Sequence, residues 1–154
     1  MTGDEAYNIH ASGGSLAGAD LKGANLKGEI LIGGANLAGA NLEGANLEGT
    51  WLNNAWLVGA NLDGANLKGA RLGGANLEGA NLVSANLEAA ILGGTGLDGV
   101  NLKGADLRDA NLTDANLQYA NLEGAILKGA CLKSALLDST NLRGATMPDG
   151  SIHE

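Results

Sequence analysis

The segment Gly94-Thr95-Gly96-Leu97-Asp98-Gly99 has the G-x-G-x-x-G spacing that cradles a dinucleotide pyrophosphate. That turn works because a helix N-terminus follows it and offers backbone N–H groups and a positive dipole end. Here a short apolar repeat continues past Gly99, so no dinucleotide site is expected. The stretch from Gly93 to Val100 also fits one calcium-binding β-roll repeat, a motif that works in tandem and stands here as a single copy. His10 and His153 lie near opposite chain ends, with no acid or nucleophile at a legible spacing. Asp106, Asp109 and Asp114 form the densest carboxylate group, but Arg108 stands among them, and a solvated edge fits better than a cation loop. Asn111-Leu112-Thr113 is a glycosylation sequon, relevant only to a secreted chain. Cys131 is the one cysteine and can form no internal disulfide. No catalytic residue, metal site or cofactor is expected, and the chain reads as a non-enzyme.

The elements that must position all of these are very short. Ala60-Asn61-Leu62-Asp63-Gly64-Ala65-Asn66-Leu67-Lys68-Gly69 is two copies of a five-residue unit that recurs, nearly unchanged, from Leu37 to Met147. Each unit has an apolar residue, a polar one and a central Leu, which is a strand of period two, and then two corner residues often ending in Gly. The column two residues before each centre is Ala except at Thr50, Thr95, Val100 and Thr140, so Leu and Ala columns form the expected core. A period this short makes one unit one side of a coil. With Leu inside, such a rod is convex and lacks the concavity an active site needs.

These units resemble the pentapeptide repeat family, with consensus A-(D/N)-L-X-X as in Ala40-Asn41-Leu42-Glu43-Gly44. The resemblance covers residues 15–147 and implies an all-β fold, a right-handed quadrilateral β-helix with four pentapeptides per coil and about six to seven coils. It also implies frequent dimerisation through a terminal coil, and it leaves activity open, because most members, abundant in photosynthetic bacteria, have none assigned. Residues 1–14 are expected to form an N-terminal cap or irregular first coil, and residues 148–154 a C-terminal tail, a turn that could fold Ile152 over the last coil.

One residue interrupts the phase between Leu26 and Leu37. Centring Leu31 would turn Glu29 inward. Centring Ile32 turns Ile30 inward and leaves Glu29 as a bulged, solvated insertion, which avoids burying a carboxylate; this second register is the expected one.

Residues 20 apart then stack into surface columns. One column, Asn41, Asn61, Asn81, Asn101, Asn121 and Asn141, reads as an unbroken amide ladder. The next carries Glu48, Lys68, Glu88, Arg108 and Lys128 beside it, a solvated face of largely alternating sign. The third departs from the consensus as Leu31, Trp51, Arg71, Ile91, Asn111 and Cys131, and Trp56 lies one corner away. An exposed apolar neighbourhood with Trp and Arg marks a candidate partner-binding surface of Leu31, Trp51, Trp56, Arg71 and Ile91. Ile126, Cys131 and Leu136 form a second apolar turn, a candidate homodimer or end contact.

The net charge of −8 disfavours direct nucleic-acid or anionic-membrane binding, and no apolar run is long enough to span a bilayer. Met1-Thr2-Gly3-Asp4-Glu5 lacks the basic start of a secretory signal, so a cytoplasmic setting is expected. The leading functional expectation is a rigid interaction module for an unidentified protein. An alternative is an acidic mimic of DNA that binds a type II topoisomerase, because some members of the family resemble duplex DNA in shape and charge. Residues 28–102 carry seven acids against Lys68 and Arg71. The gyrase-binding members use Phe at many centres, however, and this chain has none. A purely structural assembly role is the third possibility.

Overall fold

A computed structural model describes residues 1–31 and 33–154. After one helix, the chain winds as a right-handed quadrilateral β-helix whose strands are reduced to single parallel bridges. The unit at residues 60–64 shows why. Leu62 is fully buried, and its N–H donates to Asn81 O in the next coil at 2.6 Å. The Asn61 N–H donates to Ala40 O in the previous coil at 2.9 Å, so both neighbours are satisfied by one three-residue strand. Gly64 then takes φ 63°, a left-handed corner that glycine adopts without steric cost. Ala65 N closes that corner on Leu62 O at 3.0 Å. The Leu and Ala columns stack into one continuous core from Leu16 to Ala145. Bridged rungs form four columns: Asp20 to Asn141, Asn25 to Thr146, Ile30 to Cys131 and Asn36 to Leu136.

The phase break corrects the expected register. Leu31 is fully buried and is the centre, while Ile30 is 48% exposed and bridges to Trp51. The extra residue therefore falls after Leu31 and before the buried Ala35, not at Glu29; the expected centre Ile32 lies outside the described residues. Gly33 and Gly34, at φ 88° and 80°, supply a corner that absorbs the longer connection. Glu29 stands in the inward column but is only partly buried, so it keeps the solvent contact that a carboxylate needs.

The N-terminal cap is helix α1, Gly3–Ala11. Thr2 accepts from Glu5 N, and the Glu5 carboxylate accepts from Thr2 N at 2.8 Å, a capping box that satisfies the helix start. The Thr2 backbone N–H, bonded to the carboxylate, is the main cause that holds the Glu5 carboxyl below its usual pKa. Buried Ala6 and partly buried Ile9 seal the first coil. Gly3 permits this approach, because a Cβ there would collide with Asn25 O.

At the other end the tail doubles back: Thr146 pairs antiparallel with Ile152, and Gly144 N donates to His153 O at 2.7 Å. Ile152 remains 62% exposed, so the tail covers the last coil with paired backbone and not, as expected, with that side chain. Leu132, Leu137 and Leu142 are only partly buried, which leaves the C-terminal end half open.

Candidate protein-interaction face

The side chains that replace Asn in the third column follow one another a single coil apart, bridged as Ile30, Trp51, Arg71 and Ile91. The strand geometry fixes their direction: each precedes a buried Leu, and alternation turns it outward. Trp51 is 37% exposed and Ile91 42%, and Trp56, on the next face of the same coil as Trp51, is 58% exposed. The Arg71 guanidinium lies 4.2 Å from the Trp51 ring centroid, a cation–π contact worth about 0.5–1 kcal/mol at an exposed site. Among the described residues Arg71 makes no ion pair.

Four of the five residues expected on this surface are thus brought together. Leu31 is not; it is core, and Ile30 takes its place. Ile30 was missed only because the phase break was put before it. The residues beside the column are small or uncharged: Asn53, Gly73, Gly93 and Thr113.

The other faces satisfy themselves. On the first, Asn41 Nδ2 donates to Asp20 Oδ1 at 3.2 Å, Asn61 to Asn41 at 3.3 Å and Asn81 to Asn61 at 3.1 Å. The ladder resumes with Asn121 to Asn101 at 3.3 Å and Asn141 to Asn121 at 3.0 Å. It is not unbroken, because buried Asn81 Oδ1 has no partner among the described residues. On the second face Lys27 pairs with Glu48 at 3.0 Å, Lys68 with Glu88 at 3.1 Å, and Arg108 with both Glu88 and Asp106. The hydrogen bond from Arg108 holds the Asp106 carboxyl below, and the Arg108 guanidinium above, their ordinary pKa values. Asp106 is thereby engaged, while Asp109 and Asp114 stand at two different corners with φ 57° and 58°.

Near the C-terminal end, Ile126 is 38% exposed, Leu136 is 49% exposed and Cys131 is exposed. They lie in three different columns and so surround the rod instead of forming one flat seam. The Cys131 thiol sits 3.4 Å from Thr113 Oγ1, and that hydrogen bond, followed by the Lys133 backbone, lowers its pKa. The G-x-G-x-x-G segment is ordinary coil, with Thr95 and Leu97 buried and Gly94 and Gly99 at corners. No helix is long and apolar enough to cross a membrane among the described residues.

The family model for pentapeptide repeats matches eight copies between residues 32 and 144. The chain belongs to the pentapeptide repeat family. A solved pentapeptide repeat protein, Rfr23 from the cyanobacterium Cyanothece 51142, is 36% identical, with a TM-score of 0.67, over 69% of this chain and 86% of that one. QnrB1, a plasmid-mediated fluoroquinolone resistance protein, shares the fold at 22% identity and a TM-score of 0.72, over 83% of this chain and 67% of its own. HetL, a pentapeptide repeat protein involved in heterocyst differentiation regulation from the cyanobacterium Nostoc, is 36% identical over 89% of this chain and 76% of its own, with a TM-score of 0.40. No match is found among curated protein sequences. Family membership accounts for the Leu and Ala columns and for the amide ladders. It does not account for the Trp51, Arg71 and Ile91 column, where the consensus residue is Asn or Asp.

Proposed function

We propose that this pentapeptide repeat protein is a non-enzymatic, cytoplasmic scaffold that binds another protein through the face formed by Ile30, Trp51, Trp56, Arg71 and Ile91. The observation that carries this reading is that both tryptophans of the chain are exposed on adjoining faces of one coil, beside a guanidinium with no acid partner among the described residues. Trp and Arg dominate binding energy at protein interfaces, and contiguous exposed apolar groups are uncommon on monomers. Affinity capture with the parent protein and with Trp51→Ala/Trp56→Ala tests it. Partners retained by the parent should be lost from the variant; an identical captured set counts against the reading.

Mimicry of DNA toward a topoisomerase is disfavoured by the ion pairs. Glu43, Glu48 and Glu88 each hold a lysine from a neighbouring coil, which breaks up the acidic field of residues 28–102. The likeness to QnrB1 supports the fold alone. Homodimerisation has a specific observation in its favour: at the half-open C-terminal coil the N–H groups of Leu132, Leu137 and Leu142 have no acceptor among the described residues, beside partly exposed Leu side chains. A concentration-dependent dimer by analytical ultracentrifugation, lost in Leu137→Lys, is the expected result; a monomer at all concentrations contradicts it.

A further inference from the structure

We propose that the partner docked on the Trp51 face is an amphipathic α-helix carrying one carboxylate within its apolar stripe; this rests on the interaction-face reading above. Three observations converge on it.

The first is the charge pattern. Residues 50–57, 70–77 and 90–97 hold the strands of the third and fourth faces and the corner between them over three successive coils; Arg71 is the one charged residue among them, and Glu78 and Asp98 stand at the far corner of the fourth face. The chain as a whole carries −8, and five of its nine bases, Lys22, Lys27, Lys68, Lys103 and Arg108, pair with an acid. Arg71 instead lies against Trp51 at 4.2 Å. A partner that covers the Trp51 ring therefore covers the guanidinium as well, and a cation sealed from water is strongly destabilising without an opposite charge. Neither Glu78 nor Asp98 at the far corner, nor any other acid among the described residues, pairs with Arg71, so the partner supplies the charge.

The second is the use of glycine. Gly73, Gly93 and Gly96 all lie on this field, and none has a positive φ. A Cβ added at Gly93 or Gly96 would sit at ordinary distances, 3.7 Å from Thr113 O and 3.5 Å from Asn76 Oδ1, and one at Gly73 would meet the movable Asn53 amide at 3.2 Å. Every other glycine either takes a positive φ or, at Gly3 and Gly14, would drive its Cβ into a neighbour. The fold accepts side chains at these three positions, so their absence leaves a flush ledge beside the two tryptophans that serves the approach of another backbone.

The third is spacing. Ile30, Trp51, Arg71 and Ile91 rise by one coil each, about 4.8 Å for hydrogen-bonded strands, hence about 14 Å in all. Stripe positions i, i+4, i+7 and i+11 of a helix span about 16 Å at 1.5 Å per residue, so one helix along the rod meets all four rows.

A displayed library of tryptophan-free helical peptides with randomised stripes, panned beside an equal library of unstructured linear peptides against the whole chain, tests this. The expected binders are helical, carry Asp or Glu at one stripe position, and lose at least tenfold in affinity toward Arg71→Leu and toward Gly93→Gln. Both variants should melt as the parent does, and Arg71→Glu should be rescued by a Lys at the acidic position of the peptide. Binders that require Trp51 and Trp56 yet are linear, lack the carboxylate or ignore both substitutions overturn the helix inference and leave the interaction face standing. Failure of both libraries to yield any binder dependent on Trp51 and Trp56 counts against the interaction face itself.

Discussion

Replacing Leu31 and Ile30 by Ala, one at a time, separates the two possible registers of the first coil. Leu31 is fully buried, so Leu31→Ala removes three carbons from a packed layer and leaves a cavity, a change that costs about 2–5 kcal/mol. Ile30 is 48% exposed on the outer face, and its truncation removes only part of its apolar contact, at most about 1 kcal/mol. At roughly 2–4 °C per kcal/mol for a chain of this size, Leu31→Ala should lower Tm by about 4–20 °C and Ile30→Ala by less than about 4 °C. Because each coil of a solenoid contacts mainly its neighbours, part of the Leu31→Ala loss should appear as local opening of residues 16–31, read as faster amide exchange there than in the central coils. Equal effects, or a larger effect from Ile30→Ala, would refute the register and remove Ile30 from the binding face.

Three further outcomes follow from local geometry. Gly3→Ala should detach helix α1, since its Cβ would strike the Asn25 carbonyl, and limited proteolysis should then cut the first 14 residues faster than in the parent; unchanged cleavage contradicts the cap. Ala89→Gly should stabilise by about 1 kcal/mol, because Ala89 is held at φ 55° where an L-residue is strained, and a lowered Tm would contradict that account. The Asp106 carboxyl has a folded pKa below its unfolded value because of Arg108. Its contribution to stability is therefore present above about pH 4 and is lost as pH falls through the folded pKa. Arg108→Gln should return the Asp106 titration, followed by NMR, to the ordinary carboxylate range, and a midpoint that does not move contradicts the assignment.

The fold was legible because a single signal repeats: the Leu and Ala columns need no long-range information, and the family resemblance carried the coil geometry. Helix α1 was also written in the sequence, as Thr2 followed three residues later by Glu5, a capping-box spacing that the five-residue repeat pattern does not bring out. The register at Glu29 failed for a physical reason. Avoidance of a buried carboxylate was weighed as all or none, whereas an end coil lets Glu29 turn inward and still meet water, and Gly33 and Gly34 can widen a corner without disturbing the core. Trp51, Trp56, Arg71 and Ile91 emerged as one neighbourhood from the 20-residue stacking alone. The ledge of Gly73, Gly93 and Gly96 did not, because composition cannot separate a glycine required by a corner from one that merely leaves space; that distinction needs φ and the position of an absent Cβ.

The central claim is that the surface around Trp51 and Trp56 is the contact surface, and the chain carries its own probes there, because these are its two tryptophans. Protein labelled with 5-hydroxytryptophan, excited beyond the absorption of a partner's own tryptophan, should show blue-shifted emission and protection from acrylamide quenching as a captured partner is added. Binding registered by calorimetry with an unchanged spectrum and unchanged quenching would place the contact elsewhere on the rod.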